Sequence, residues 1–248
     1  MEFALALVAF APAAAIGSFL NVVAGRLPNK MSLVRPRSAC PSCGHEIAWH
    51  DNVPLLSYML LRGKCRSCQA TISVRYPLVE LTTAVLVAAC FFHFGLTADA
   101  LVASYVCAAL VVLSAIDFEH RILPDRITLP SAAIVLVANT LLHPSPQWAI
   151  ASLGAALFLF LAVLAYPRGM GMGDVKLALL MGAACGKTVP VAMAIGFVTA
   201  LVPSVVLLAR YGSAARKMAI PFGPFLALGT VVTLFIGDWL LGLYTGLL

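Results

Sequence analysis

The chain has 248 residues, of which 62% are hydrophobic and only 10% charged, with a formal net charge of +6. A water-soluble domain carries about 25% charged residues, so this composition excludes an ordinary soluble globule and makes lipid the natural solvent. The basic excess does not point to nucleic acid, because the Lys and Arg residues lie in short clusters between apolar runs rather than along one face.

In chain order, about eight apolar spans are expected, near 3–25, 77–95, 99–116, 127–143, 148–166, 174–186, 189–210 and 223–246. The fold class predicted is all-α: a polytopic membrane protein with a small zinc-binding loop domain. The first run has no basic residue before it, only Glu2, and is followed by Arg26; it reads as a retained span rather than a cleaved signal. Residues 26–76 form the one large polar loop. The division expected is therefore 1–25 as a first span, 26–76 as the loop domain and 77–248 as a membrane-embedded domain. No internal repeat stands out. The run 174–186 is too short to cross alone unless tilted, extended or partly re-entrant.

The loop carries Cys40-Pro-Ser-Cys43 and Cys65-Arg-Ser-Cys68. Two C-x-x-C turns complete a tetrahedron of thiolates around one zinc ion. Four sulfur ligands leave no open position, so the predicted role is structural. His45 and His50 are unnecessary as ligands. The alternative, a pair of disulfides, is disfavoured if the loop is cytoplasmic. Cys90, Cys107 and Cys185 stand alone in apolar spans and read as small buried hydrophobes.

Carboxylates near membrane depth are expensive and therefore functional candidates. Glu80, Asp117, Asp125, Asp174 and Asp238 qualify. Asp117 closes the third span; Asp174 follows Gly169, Gly171 and Gly173. Two carboxylates at a wet membrane edge can hold one proton between them, the ionised one activating water and the protonated one polarising a peptide carbonyl. Asp117 and Asp125 would be about 12 Å apart along a helix, so Asp174 is the expected partner of Asp117. Asp125 reads as an N-terminal turn residue, Asp238 as structural, and Glu80 as a group that closes the metal loop against the membrane or serves a second activity.

Orientation follows from the basic residues. With the N-terminus outside, the loops 26–76, 117–126, 167–173 and 211–222, with the flanking Lys176 and Arg210, hold every Lys and Arg except Lys187 on the inner side.

Taken together, Gly17-Ser-Phe-Leu-Asn21, Arg26-Leu-Pro28, both cysteine pairs, Asp51-Asn-Val-Pro54, Arg75-Tyr-Pro77-Leu-Val-Glu80, Ile116-Asp117, Leu123-Pro-Asp125, Gly171-Met-Gly173-Asp174-Val-Lys176 and Pro221-Phe-Gly-Pro224-Phe resemble the type IV prepilin peptidases. The resemblance implies an intramembrane aspartyl peptidase of the bacterial inner membrane, with Asp117 and Asp174 as catalytic residues. It implies prepilin or pseudopilin substrates of type IV pili or type II secretion, cleaved after a glycine at the cytoplasmic face. It also implies methylation of the new N-terminus with S-adenosylmethionine, for which Glu80 is the weak candidate binding residue. Two other readings compete less well. A membrane transporter would use these acids as proton relays, but they sit at one membrane face and not at the midplane where carriers bind. A non-enzymatic assembly protein with a zinc-finger loop leaves the Asp117 and Asp174 motifs without a role.

Overall fold

The computed structural model describes residues 2–166, 170–212 and 220–246. Arg168, Gly169, Arg216 and Lys217, which entered the expectations above, lie outside the described residues. Among the described residues the chain is helical, with no strand beyond two isolated bridges. Seven runs are long and apolar enough to cross a membrane by length and composition, as befits a multi-pass membrane protein. One of the seven, Met172–Tyr211, is interrupted and contributes two helices.

The chain divides into two units, Met1–Ala115 and Ile116–Leu248. In the first, helix α1 (Glu2–Arg26) packs along α3 (Arg75–Phe94). Gly17 permits this: a methyl group there would lie 2.7 Å from Glu80 Cα, so the two backbones touch. Close approach through small residues is how helices associate where lipid removes any hydrophobic drive between them. Between α1 and α3 the loop holds a single 3-10 turn, Trp49–Asn52, and a short helix α2 (Leu56–Leu60). Asn21 Nδ2 donates to the Tyr76 carbonyl at 3.0 Å and ties the loop ends of α1 and α3 together. Helix α4 (Ala98–His120) follows.

The second unit comprises α5 (Asp125–Leu142), α6 (Gln147–Ala165), α7 (Met172–Cys185), α8 (Val189–Tyr211) and α9 (Gly223–Thr245). Helix α7 is its core, packed on α5, α6 and α9. From Asp174 to Cys185 only Lys176 and Leu179 escape burial. That explains the short run: at about 1.5 Å per residue, 14 residues span only about 21 Å, and a helix apolar all round belongs inside a bundle. It ends at Gly186, whose φ of +54° suits glycine. Gly182 sits against the Ala151–Ser152 backbone of α6. Asn139 Nδ2 and Ser152 Oγ donate to the Ala183 and Leu179 carbonyls of α7 at 2.8 Å each.

The eight expected spans coincide with α1 and α3–α9. One boundary differs. Helix α4 runs past residue 116 to His120, stopping where Arg121 takes a φ of +54° ahead of Pro124. Asp117 is therefore helical rather than in a loop.

Candidate active site and metal centre

Asp117 sits one turn before the end of α4 and is 6% exposed. Its Oδ2 accepts the Gly223 N–H at 3.0 Å. Gly223 is the first residue of α9, with Pro224 next, so the carboxylate satisfies one of the donors that every helix start leaves open. Asp174 is in the first turn of α7 and is 9% exposed. Its own N–H bonds to the Gly171 carbonyl at 3.2 Å. Asp174 thus stands at the positive end of its own helix, and Asp117, near the end of α4, stands against the positive end of α9.

The glycines around them are a matter of space. A methyl on Gly223 would meet Asp117 Oδ2 at 2.9 Å and Leu123 Cδ2 at 3.2 Å. A methyl on Gly173 would meet Leu123 Cβ at 3.1 Å. Leu123 therefore fills the gap between the N-termini of α7 and α9. Neither Leu123 nor Gly223 was singled out for a role from sequence; both lay inside quoted motifs, but nothing in one dimension links residues 123, 173 and 223.

Asp125 opens α5, as its neighbours suggested, and both its oxygens lie 2.7 Å from Lys176 Nζ. This ion pair joins the starts of α5 and α7. Asp238 pairs with Lys187 at 3.1 Å, both well exposed.

In the first unit, Cys40, Cys43, Cys65 and Cys68 converge, with all four Sγ atoms within 4.8 Å of one another. Cys40 and Cys68 Sγ are 3.8 Å apart. The edge of a tetrahedron with Zn–S bonds of about 2.3 Å is about 3.8 Å, whereas a disulfide is about 2.05 Å. The donor set fits zinc. The two knuckles repeat one backbone geometry. Cys40 N–H bonds to His45 O and Gly44 N–H to Cys40 O, both 2.9 Å; Cys65 N–H bonds to Ala70 O at 2.9 Å and Gln69 N–H to Cys65 O at 3.0 Å. Single bridges, Ala39 with Glu46 and Lys64 with Thr71, close the pair. The N–H groups of Cys43 and Ser42 hold the Cys40 thiol down to about 6. The Ala70 N–H works to lower Cys68, but the thiol's hydrogen bond to Cys43, then burial and its bonds to Cys65 and Cys40, raise it to about 11. The cluster gives up its first proton readily, as metal binding requires. Asp51 forms a two-pronged bond with Arg66 of the second knuckle, at 2.7 and 2.6 Å, which holds its carboxyl below the usual range.

Glu80 is 9% exposed, and its Oε2 accepts the Leu55 N–H at 2.8 Å. It fastens the loop to α3, the first of the two roles expected of it.

Two family models match the chain: the Bacterial Peptidase A24 N-terminal domain over residues 12–94 and the Type IV leader peptidase family over residues 104–205. Among curated proteins, the chain is 38% identical to a prepilin leader peptidase/N-methyltransferase of Pseudomonas aeruginosa, over 90% of this chain and 87% of the relative. It is 39% identical to one of Burkholderia pseudomallei (90% and 82%) and 34% identical to one of Bacillus subtilis (92% and 93%). No solved structure matches the chain.

Proposed function

The chain belongs to the type IV leader peptidase family, and on that premise we propose that it removes the leader of prepilins or pseudopilins and methylates the amine so exposed. Asp117 and Asp174 are the catalytic pair. The observation that carries this assignment is two buried carboxylates at the starts of α9 and α7, where the side chain of Leu123 lies against both Gly173 and Gly223.

In the reaction, the pair holds one proton. The ionised carboxylate takes a proton from water, which attacks the scissile carbonyl, while the protonated one hydrogen-bonds to the carbonyl oxygen. Collapse of the tetrahedral intermediate breaks the C–N bond, and the leaving amine takes up a proton from the pair. The Gly223 N–H gives Asp117 a fixed partner throughout.

Zinc, held by Cys40, Cys43, Cys65 and Cys68, is structural in this reading: the four thiolates close its coordination and cross-link the loop. The methylation half rests on the relatives' shared name, and S-adenosylmethionine is the donor the reaction class implies. The proposed setting is the bacterial inner membrane, N-terminus outside, with the zinc loop and both aspartates on the cytoplasmic side, as the basic residues favour.

The test is cleavage of a synthetic prepilin by purified protein in detergent. Asp117→Asn and Asp174→Asn should each abolish leader loss while zinc content and helicity stay at wild-type values. Persistent cleavage by either folded variant would remove that residue from the pair.

A further inference from the structure

Residues Val53–Leu61 belong to the loop read from sequence as polar, yet they spell Val-Pro-Leu-Leu-Ser-Tyr-Met-Leu-Leu. Two contacts within the first unit fix their depth. The Leu55 N–H bonds to Glu80 Oε2, and the Leu55 side chain packs on the cluster of Ala13, Ala14, Ala84 and Val87 between α1 and α3. Arg26 ends α1 and Arg75 begins α3, and such basic flanks mark the headgroup level. From Arg75, Glu80 lies about 7 Å and Ala84 about 13 Å along the helix axis. Half of a hydrocarbon core is about 15 Å, so Leu55 reaches into it.

Helix α2 follows directly and is amphipathic. Its inner face is engaged: Ser57 Oγ donates to the His50 carbonyl and accepts the Val53 N–H, and Tyr58 OH donates to the Ile72 carbonyl. Its outer face is Leu56, Met59 and Leu60, the i, i+3, i+4 pattern of one helical stripe, exposed by 53%, 73% and 74%. Irregular backbone tolerates a membrane only if its polar groups are satisfied internally. Most of the backbone here meets that condition. Beyond the bonds inside α2, the N–H groups of Val53, Leu55, Leu61, Arg62 and Gly63 all find protein acceptors. Exposed Arg62 and Lys64 follow at once, placed to meet anionic headgroups.

We propose that Val53–Leu61 is a re-entrant segment of the membrane domain. It enters the leaflet at the Arg26 and Arg75 ends of α1 and α3, with Leu56, Met59 and Leu60 against phospholipid acyl chains and Arg62 and Lys64 at the phosphates. The occupant of the apolar stripe is lipid because Leu55, immediately before it, is seated at the depth where α1 and α3 also expose Phe19, Leu78 and Leu81. Glu80 is then the acceptor that lets the chain turn inside the membrane.

The test uses the full chain in nanodiscs of phosphatidylethanolamine and phosphatidylglycerol. Trp49, Trp148 and Trp239 are replaced by Phe, and Met59→Trp or Leu60→Trp supplies the only indole; retained zinc reports that the loop is folded. The expected result is blue-shifted emission, roughly halved by phospholipids brominated high in the acyl chain and insensitive to aqueous acrylamide. Quenching by acrylamide and not by bromolipid overturns the proposal in favour of an aqueous loop. Insensitivity to both overturns it in favour of a protein partner or a second copy. Independently of any variant, wild-type protein in nanodiscs containing an acyl-diazirine phospholipid should yield lipid adducts on the peptide covering 53–61; their absence, with adducts present on α1 and α3, would equally overturn it.

Discussion

Gly223 and Gly173 guard Asp117 and Asp174 for different reasons, and the difference can be measured. A methyl on Gly223 lands against the Asp117 carboxylate itself, 2.9 Å from Oδ2. Gly223→Ala should therefore displace the carboxylate and weaken its bond to the α9 start; a misplacement near 1 Å costs about a hundredfold in rate. A methyl on Gly173 meets the Leu123 side chain first, at Cβ. Gly173→Ala should be milder, and Leu123→Gly in the same chain should restore much of the cleavage. The same Leu123→Gly change should not rescue Gly223→Ala, because the clash with Asp117 remains. Prepilin cleavage rates of the two double variants decide the point; equal rescue of both would mean that Leu123, and not Asp117, is what Gly223 accommodates. At this scale the sequence brought out the candidate carboxylates, since charge beside an apolar run is conspicuous. It did not show the residues that hold them, because Asp117 and Gly223 are 106 positions apart and a glycine N–H has no signature.

Elements were the most legible scale. Apolar runs bounded by Arg, Pro and Gly located α1 and α3–α9, and the short run 174–186 proved short because α7 is enclosed by its neighbours. What escaped notice was built from few residues: α2, only Leu56–Leu60, and the duplicated knuckle, whose likeness lies in backbone bonds more than in side chains. The two knuckles differ at one telling position. Gly44 takes a φ of +70°, and its counterpart Gln69 is forced to +59°. A residue with a side chain pays about 1 kcal/mol there. Gln69→Gly should recover that amount, visible as roughly fivefold slower or weaker loss of zinc to a chelator. Gly44→Ala should move retention the opposite way by a similar factor. No change with Gln69→Gly would mean that the second knuckle's stability is set by the Asp51–Arg66 clamp instead.

For the whole molecule, the thiol cluster and the carboxylate pair fall in different units, 1–115 and 116–248, and the two family models part at nearly the same place, matching 12–94 and 104–205. Composition announced a membrane protein but could not announce this partition, because α4 crosses the boundary between Ala115 and Ile116 as one uninterrupted helix. The partition has a consequence for the two proposed activities. As proposed, peptide-bond hydrolysis uses Asp117 and Asp174, held where α7 packs on α5 and α9, all in the second unit. The clustered cysteines all lie outside that set of residues. Stripping zinc, or Cys40→Ser, unties a loop whose cross-link is the metal, and structural zinc sites are folding energy in themselves. The expected outcome is that methylation of a precleaved pilin falls before, and further than, cleavage of the intact prepilin, with helicity unchanged. The measurement is both rates on one preparation across a chelator titration. If cleavage and methylation decline in parallel while the protein remains helical, the zinc loop serves the peptidase directly, and the separation of roles between the two units is wrong.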